Sequence, residues 1–314
     1  MIVLKGDDRQ AWLRGAIVAI GNFDGIHRGH QALLGRAMAH ARSQGKPAGA
    51  IVFEPHPREF FVPAEPHFRL TPLPEKLRLF EGMGLDEVAV LGFDAQLSAM
   101  SAEDFIARVL VTGLGISGAV VGYDFFFGHK RSGTPQTLVE AGQRYGFSVD
   151  IVAPVAELGE LFSSTAVRLK LAEGDFAGAA HALGRWWRVT GTVVGGAKRG
   201  TGMGYPTANV PMPKGTTLAH GIFAVRVLIE GAWHDGAAYL GTRPTFDDGQ
   251  PVLEVFLFDF DGDLYGREIA VEFIAFLRGD RKFDTMDALV AQMDLDVAHA
   301  RAVLAATPHA PARL

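Results

Sequence analysis

Apolar runs of strand length alternate with helix-like segments along the first 183 residues of the chain. Five runs are short and mostly apolar, as buried strands are: residues 15–23, 48–53, 86–93, 118–122 and 146–152. Three segments between them are predicted to be helices, from apolar positions at helical spacing or from a residue typical of a helix N-terminus: 28–45, 74–84 and 101–110. Strands and helices in this order predict right-handed βαβ units, and therefore an α/β domain with a parallel sheet.

The pattern changes after residue 185, where short strands dominate. They are predicted at residues 186–195, 221–231, 236–241, 254–260 and 268–277. Glu230-Gly231 and Asp261-Gly262 have the residue types of hairpin turns. From Asp284 onward the chain is predicted to form one amphipathic helix, whose apolar stripe comprises Leu289, Met293, Val297 and Ala300. We therefore expect a small antiparallel β-barrel closed by a C-terminal helix, with domains at 1–183 and 184–314.

Composition narrows the class of protein. The chain has 314 residues, a net charge of −5 and no long run of either sign, so a broad basic surface for nucleic acid is not expected. It has no cysteine, which excludes disulfides and thiolate chemistry and favours a reducing compartment. No apolar run approaches the roughly 18 residues of a membrane span, and the N-terminus becomes charged too early for a secretory signal. We expect a cytoplasmic protein without a membrane partner, and the sequence leaves a homo-oligomer open.

Two histidines lie in the segment GNFDGIHRGHQALL at 21–34, where the strand predicted at residues 15–23 ends and a helix begins. Free main-chain amides and the positive end of the helix dipole make such a position suitable for phosphate. His27 and His30, three residues apart, can donate hydrogen bonds to one phosphate chain, and three glycines let the backbone approach it: Gly21, Gly25 and Gly29. The pattern predicts charge stabilisation in phosphoryl or nucleotidyl transfer. The alternatives are a helix cap with a solvated histidine, or a metal site, for which a spacing of four residues is more typical.

Two further features favour phosphate and nucleotide binding. In SSTAVR, Ser163 or Ser164 is expected to cap a helix while Thr165 and Arg168 present polar groups to a second phosphate site. The alternative is an ordinary capped helix with a solvated arginine. Asp24 either orients a ribose or magnesium ion or fixes its own turn.

Two loops carry the remaining candidates. GYDFFFGHKRSG follows a predicted strand, and its Asp124, Phe125 and Phe127 suit an adenine or isoalloxazine face, unless the phenylalanines pack a core edge. Farther along, GGAKRGTGMGYPTANV is rich in glycine and contains no P-loop motif. There Thr207 and Asn209 follow a turn-forming proline and offer oxygen ligands of the kind that Mg²⁺ prefers.

The order of these motifs resembles the bacterial bifunctional riboflavin kinase/FAD synthetase family. The resemblance begins with the nucleotidylyltransferase signature at 21–34 and continues nearly to the end of the chain. The other matching segments are residues 53–61, 120–133, 163–185, 202–210, 240–246, 254–266 and 276–283. It implies a Rossmann-like nucleotidylyltransferase domain that converts FMN and ATP to FAD and diphosphate. It also implies a riboflavin kinase domain in the barrel that converts riboflavin and ATP to FMN and ADP.

The resemblance also implies roles for individual residues. It assigns catalysis to His27, His30 and Glu254, the last as the base for a riboflavin hydroxyl. The alternative for Glu254 is a rim carboxylate paired with a nearby arginine. Contacts to ATP are expected from Gly21, Phe23, Asp24, Gly29, Ser164, Thr165, Arg168, Gly200, Thr207 and Asn209, the last two also holding Mg²⁺. Contacts to flavin are expected from His56, Pro57, Arg58, Asp124, Phe125, Phe127 and Arg278.

Three positions depart from the family pattern. Gly200-Thr201 stands where relatives have Gly-Arg, although Lys198 and Arg199 lie close enough in sequence to compensate. Tyr239 replaces an asparagine and is interpreted as structural, and Phe126 replaces a polar or basic residue. Two alternatives therefore stay open: a FAD synthetase whose kinase domain binds flavin without turnover, and a non-catalytic regulator that binds flavin or nucleotide.

Overall fold

A computed structural model describes residues 1–5, 14–157, 159–195, 205–242 and 251–308. The chain forms two compact units. The first comprises Met1–Pro66 and Thr71–Ser164, and the second comprises His67–Leu70 and the chain from Thr165 onward. The predicted domain boundary at 183–184 lies beyond this division and stays a prediction.

The first unit is built on a six-stranded sheet in which all paired strands are parallel. Its strands are β1 (Ile2–Lys5), β2 (Ile17–Ile20), β3 (Ala48–Glu54), β4 (Glu87–Gly92), β5 (Gly118–Gly122) and β6 (Ser148–Val152). The order is β1-β4-β3-β2-β5-β6, so the chain moves outward from β2 in one direction and from β5 in the other. This topological switch opens a crevice at the carboxyl ends of β2 and β5, where open α/β sheets bind ligands. The five predicted strands are confirmed, and β1 adds an edge strand.

Helices cover both faces of this sheet. They are α1 (Arg28–Ser43), α2 (Pro57–Phe61), α3 (Leu73–Met83), α4 (Ala95–Ala99), α5 (Ala102–Asp104) and α6 (Pro135–Tyr145). A π-helix at Phe105–Leu114 continues α5, and a 3₁₀ turn spans His129–Arg131. The α-helix predicted at 101–110 is therefore corrected to a short α-helix followed by a π-helix, because one apolar face satisfies both windings. A small hairpin, β7 (Ala156–Glu157) and β8 (Glu160–Leu161), follows the sheet.

Two hydrophobic layers enclose the parallel sheet. Val18 and Ile20 of β2 contribute to one layer with the π-helix and α6, whereas Ile17 and Ala19 contribute to the other with α1 and α3. All four residues are buried, which explains why β2 is apolar throughout instead of alternating. The sheet is thus a stable base for the loops at its carboxyl edge.

The second unit contains an antiparallel barrel with strand order β10-β13-β12-β11-β14-β9. The strands are β9 (Arg188–Thr192), β10 (Ala208–Pro211), β11 (Gly221–Ile229), β12 (Ala232–Thr242), β13 (Pro251–Leu257) and β14 (Glu268–Gly279). The two edges approach each other after β9, where the Val194 amide donates to the Asn209 carbonyl at 2.9 Å. The barrel is therefore nearly closed, as the sequence predicted.

One of the two predicted hairpin turns is confirmed and the other is wrong. Glu230 and Gly231 have φ of 48° and 87° and join the paired strands β11 and β12. Asp261-Gly262 lies between β13 and β14, but β13 pairs with β10 and β12, and β14 pairs with β11 and β9. Asp-Gly favours a turn whether or not its flanking strands pair, so the dipeptide could not reveal this crossing.

Three helices complete the second half of the chain: α7 (Ser164–Glu173), α8 (Phe176–Leu183) and α9 (Met286–Ala306). The C-terminal helix begins two residues later than predicted because Thr285 is its cap, its side chain accepting from the Ala288 amide at 3.2 Å. At its other end the buried Arg226 donates to the carbonyls of Leu304 and Thr307. In the described part of the chain, no helix combines the length and apolar character needed to cross a membrane.

Candidate active sites

The turn between β2 and α1 has an unusual backbone. Phe23, Gly25 and Ile26 have φ of 48°, 87° and 42°, respectively. Left-handed conformations are rare and unfavourable for phenylalanine and isoleucine, so tertiary contacts must hold this turn in place. The reversal delivers His27 to the N-cap of α1, where its Nδ1 accepts from the His30 amide at 3.4 Å.

Contacts from distant segments hold this turn. The buried Asp24 carboxylate accepts from the Thr71 amide at 3.0 Å, and the Ser164 hydroxyl donates to the Asp24 carbonyl at 2.8 Å. The ammonium of Lys76, itself buried, donates to the Asn22 carbonyl at 2.6 Å. Of the two interpretations of Asp24, the geometry favours turn fixing, and its ATP contact stays a prediction. Lys76 is a supporting residue that the sequence reasoning missed, because nothing local links it to position 22.

The two histidines form a stacked pair at the start of α1. Their ring centroids lie 3.7 Å apart with an interplanar angle of 24°, and Phe23 contacts His30 edge-on at 5.3 Å. His27 is buried and His30 is half-buried. A Cβ on Gly29 would lie 3.0 Å from the His27 ring and 3.2 Å from the Phe162 carbonyl, so glycine is needed to let the ring approach. Two imidazoles beside free helix amides can donate several hydrogen bonds to an anion.

A cavity of about 680 Å³ lies at the carboxyl ends of the central strands, next to His30. It brings together most of the first-unit residues predicted from sequence. Those that line it are Gly21, Phe23, His30, His56, Pro57, Arg58, Asp124, Phe125 and Phe127. The cavity occupies the topological switch expected for ligands of open α/β sheets.

Aromatic rings form much of the cavity wall. Phe61 and Phe93 pack edge-to-face at 5.6 Å, and Phe53 contacts Phe93 at 6.1 Å. Phe61 is 63% exposed, which is unusual for so large an apolar side chain. The sequence reasoning missed Phe93 and did not single out Phe61, although its motif pointed to this region. A wall of this kind can hold a flat ring system.

The loop after β5 contributes a second aromatic group. Phe125 and Phe127 stack with centroids 5.3 Å apart and an interplanar angle of 17°. Phe127 is buried in the core and also lines the cavity, so the core interpretation and the binding interpretation both apply to it. Phe126 is 45% exposed and lies beneath the guanidinium of Arg131, 5.0 Å from ring centroid to Cζ.

The residues of the second predicted phosphate cluster have different surroundings. Ser163 lies at the N-cap position of α7 and Ser164 is its first residue. Thr165 is exposed. The Arg168 guanidinium donates from Nε to the Phe68 carbonyl at 2.9 Å and lies 3.2 Å from Nε2 of His67. Their contacts to ATP stay predictions.

Two cavities in the second unit meet at Thr207. The larger, of about 580 Å³, is lined by Thr207, Glu254 and Arg278 and by the apolar residues Leu289, Met293 and Val297 of α9. The smaller, of about 280 Å³, is lined by Thr207 and Asn209 among others. The predicted apolar stripe of α9 is therefore partly a cavity wall, and only Ala300 belongs to the buried core.

Three residues stand side by side across the barrel strands. Glu254 of β13 is the register partner of Asn209 in β10 and of Tyr239 in β12. Directly opposite residues of antiparallel strands share one face of the sheet. Tyr239 lines the larger cavity, and its interpretation as a structural residue stays a prediction.

Two sets of side-chain hydrogen bonds connect α9 to the walls of the larger cavity. Arg278 donates from Nε to Oδ1 and Oδ2 of Asp296 at 2.9 and 3.1 Å and from its terminal nitrogen to Oδ2 at 2.6 Å. Arg278 lines the cavity, and its guanidinium is engaged mainly by this buried carboxylate, so its contact to flavin stays a prediction. The Tyr205 hydroxyl donates to Asp294, and this hydrogen bond, with some burial, raises the pKa of Tyr205 to about 12. The sequence reasoning missed Tyr205, Asp294 and Asp296.

Gly200 and the neighbouring Lys198, Arg199 and Thr201 lie outside the described residues. Within those residues, no group of three or more histidine, aspartate or glutamate side chains is arranged to hold a metal ion. The oxygen groups of Thr207 and Asn209 beside the smaller cavity fit Mg²⁺, which needs few protein ligands when phosphates and water supply the rest.

Comparisons with known proteins agree with this division of sites. A family model described as FAD synthetase matches residues 9–166, and one described as Riboflavin kinase matches residues 183–304. The bifunctional riboflavin kinase/FMN adenylyltransferase of Pseudomonas fluorescens is 42% identical over 297 residues, which covers 94% of this chain and 95% of that protein. The protein of the same name from Escherichia coli K12 is 40% identical over 293 residues, covering 93% and 94%.

A solved structure has the same fold over the whole chain. It is the crystal structure of a Streptococcus pneumoniae protein named as a macrolide-efflux protein, with a TM-score of 0.83 and 30% identity. The match covers 96% of this chain and 99% of that one. Its name differs from those of the two enzymes, which are more similar in sequence and agree with both family models. The chain therefore belongs to the bifunctional riboflavin kinase/FMN adenylyltransferase family.

Proposed function

We propose that the chain performs two successive reactions of flavin cofactor synthesis. The second unit transfers the γ-phosphoryl group of ATP to riboflavin, giving FMN and ADP. The first unit transfers the adenylyl group of a second ATP to FMN, giving FAD and diphosphate. The observation that carries this proposal is the stacked His27–His30 pair at the start of α1, of which His30 lines a large aromatic cavity.

In the first unit the reaction needs positioned charge instead of a covalent intermediate. A phosphate oxygen of FMN forms a bond to the α-phosphorus of ATP as the bond to the leaving diphosphate breaks. His27, His30 and the amides of α1 stabilise the negative charge that spreads over the phosphate oxygens. Gly21, Phe23 and Gly29 allow the nucleotide to approach closely, and Ser164 holds the departing diphosphate. The expected ATP contacts of Thr165 and Arg168 stay predictions.

The aromatic wall of the same cavity is proposed to receive the flavin. Phe125 and Phe127 present parallel rings, and Asp124 lies beside them at the cavity surface. His56, Pro57 and Arg58 form another part of the lining, where the side chain of His56 caps α2. Parallel phenylalanine rings with polar groups beside them suit the flat isoalloxazine ring of flavin.

In the second unit Glu254 is proposed as the general base. It takes the proton of the terminal ribityl hydroxyl of riboflavin as that oxygen bonds to the γ-phosphorus and the bond to ADP breaks. The larger cavity, with Arg278 in its wall, holds the flavin, and the smaller cavity, with Gly200 nearby in sequence, holds the nucleotide phosphates. Thr207 lines both cavities, as a residue beside the transferred group must. Thr207 and Asn209 would hold Mg²⁺, which neutralises phosphate charge.

The remaining proposals concern organisation and location. We place the adenylyltransferase domain at 1–183 and the kinase domain at 184–314. The absence of cysteine and the modest net charge of −5 support a cytoplasmic enzyme whose partners are ATP, riboflavin and FMN instead of nucleic acid. A homo-oligomer stays open.

One assay tests the proposal against its alternatives. The purified protein is incubated with Mg-ATP and riboflavin, and FMN and FAD are separated by chromatography. Formation of both products supports the two-step proposal. FAD from added FMN, without FMN from riboflavin, would indicate a kinase domain that only binds flavin. No turnover of either substrate would indicate a regulator.

A further inference from the structure

A turn of three basic residues, His129–Arg131, forms part of the cavity wall in the first unit. Lys130 and Arg131 both line the cavity, and both have left-handed backbone, with φ of 52° and 59°. Such conformations are uncommon for residues with a long side chain, and two in succession carry a cost in free energy. Glycine or asparagine would adopt this turn more easily. The identity of these two side chains therefore calls for a reason beyond the turn itself.

Main-chain hydrogen bonds hold the turn from both sides. Phe127 and Gly133 exchange two of them, at 3.1 and 2.9 Å, which closes the loop at its base. The His129 amide donates to the Met100 carbonyl at 2.8 Å. The side chains of Lys130 and Arg131 thus project from a well-anchored base, as a binding group should.

No described residue forms an ion pair with the cationic side chains of this turn. Among the described residues, neither Lys130 nor Arg131 forms an ion pair, and Asp124 is the only carboxylate in the cavity lining. The guanidinium of Arg131 lies over the exposed Phe126 ring, 5.0 Å from its centroid. An aromatic face orients a guanidinium while leaving its donors available to another group. The turn is therefore prepared for an anion.

The reaction proposed above requires a second anion site in this cavity. It joins two phosphorylated molecules, whose like charges repel unless each has its own counter-charge. The stacked histidines and the α1 amides serve the triphosphate. The loop that carries Lys130 and Arg131 also carries the stacked Phe125 and Phe127, so one loop offers a flat aromatic surface and two cations.

We infer that Lys130 and Arg131 bind the phosphate of FMN and make the first unit select phosphorylated over unphosphorylated flavin. This inference rests on the proposed adenylyl transfer. Riboflavin lacks the group that this turn binds, so it should compete poorly with FMN for the cavity.

The test is a kinetic comparison on the full-length protein. In the double variant Lys130→Gln/Arg131→Gln, KM for FMN in FAD formation should rise about tenfold, since charge-assisted hydrogen bonds are lost. KM for ATP should change less than about twofold, because the triphosphate is held elsewhere. Riboflavin phosphorylation should be unchanged, which reports an intact fold. Arg108→Gln, which removes an exposed arginine outside the cavity lining, is the matched control.

Two further variants separate charge from backbone strain. Lys130→Gly should relieve the left-handed strain and keep or raise the melting temperature, yet still raise KM for FMN. Arg131→Lys should give an intermediate KM, because charge remains while the planar donor group is lost. Selectivity is measured in the Glu254→Gln variant, in which riboflavin is not consumed. The inhibition constant of riboflavin against FAD formation should be the same whether Lys130 and Arg131 are present or replaced.

The outcomes separate this inference from the proposed function. An unchanged KM for FMN, or an equal rise in KM for ATP, would overturn the assignment of the phosphate site while leaving adenylyl transfer intact. A wild-type protein that makes no FAD from FMN and Mg-ATP would overturn adenylyl transfer, and this inference with it.

Discussion

Asn209 and Glu254 are register partners across β10 and β13, and both stand on one face of the barrel sheet. The residue proposed to hold the nucleotide is thus directly beside the proposed base. Because register in a barrel is fixed by the alternation of buried side chains, a shift of either strand by one residue would turn one of them away. The pairing of these strands is therefore part of the catalytic arrangement.

The first prediction concerns Glu254. Glu254→Gln should lower the rate of riboflavin phosphorylation by about 10²- to 10⁴-fold, the usual contribution of a positioned base. FAD formation from FMN should be unchanged, because it takes place in the other unit. Glu268→Gln, which changes an exposed glutamate of β14, is the control and should retain both activities. Retention of kinase activity in Glu254→Gln would rule out a general base at this position.

The second prediction concerns the stacked histidines. His30→Ala should reduce FAD formation by about 10²- to 10³-fold, since it removes a donor from the charge-stabilising site. Riboflavin phosphorylation should be spared. His40→Ala, on the last turn of the same helix beside Asp150, should leave both rates near normal. Equal loss of both activities after His30→Ala would contradict the division of reactions between the two units.

The third prediction concerns the tie between Tyr205 and Asp294. The raised pKa of Tyr205, about 12 against an ordinary 10.0, means that the protonated phenol is favoured in the folded state. The stabilisation is therefore fully present below pH 10 and is lost as the pH rises from 10 toward 12. The difference in unfolding free energy between wild type and Tyr205→Phe should be constant below pH 10 and shrink above it.

Tyr145→Phe is the control for the effect of the Tyr205–Asp294 hydrogen bond on the activity of the second unit. The pKa of Tyr145 is also raised, chiefly by its hydrogen bond to Glu103, but this residue lies in the first unit. Tyr145→Phe should leave riboflavin phosphorylation unaffected, whereas Tyr205→Phe should raise KM for riboflavin by loosening one wall of the larger cavity. A difference curve for Tyr205→Phe that is flat across pH 10 would contradict the assigned tie.

The fourth prediction concerns Asp296. Asp296→Ala leaves the guanidinium of Arg278 without its buried carboxylate, which should lower the free energy of unfolding by roughly 3 kcal/mol. It should also raise KM for riboflavin more than it lowers kcat, because the helix wall is displaced while Glu254 is untouched. The melting temperature and the two kinetic constants measure these effects.

An exposed bidentate arginine–aspartate pair provides the comparison for Asp296. Asp259 accepts two hydrogen bonds from Arg301, at 2.9 and 3.0 Å, on the protein surface. Asp259→Ala should barely change the melting temperature, because solvent screens an exposed ion pair. Equal destabilisation by both substitutions would show that burial is not what makes the Arg278–Asp296 pair important.

Local signals predicted where the histidine pair lies relative to the first sheet and helix. His27 and His30 are three residues apart, and their relation to the preceding strand and the following helix is decided within about ten residues of chain. The spacing of three residues across the helix start predicted that the two rings would lie close together. The supports of that site were different: Lys76 reaches Asn22 across 54 residues, and no local pattern announces such a contact.

The second site shows the opposite balance. The sequence reasoning placed Thr207 and Asn209 in a turn-like segment and missed β10, in which Asn209 lies. The Arg278–Asp296 pair joins β14 to α9, and its members are 18 residues apart. Apolar residues of α9 predicted a buried stripe, yet Leu289, Met293 and Val297 line a cavity. Apolar spacing marks a face that avoids water, and it does not distinguish a core from a ligand pocket.

The sequence by itself determined the α/β unit, the antiparallel barrel, the C-terminal helix and the histidine pair, because strand alternation, helical spacing and capping act over a few residues. Only the tertiary structure decided the crossing between β13 and β14, the neighbours of Glu254 and the strained basic turn at Lys130 and Arg131. These depend on contacts between segments far apart in the chain. Their free energy comes from burial and pairing in the folded whole, which no short window of residues contains.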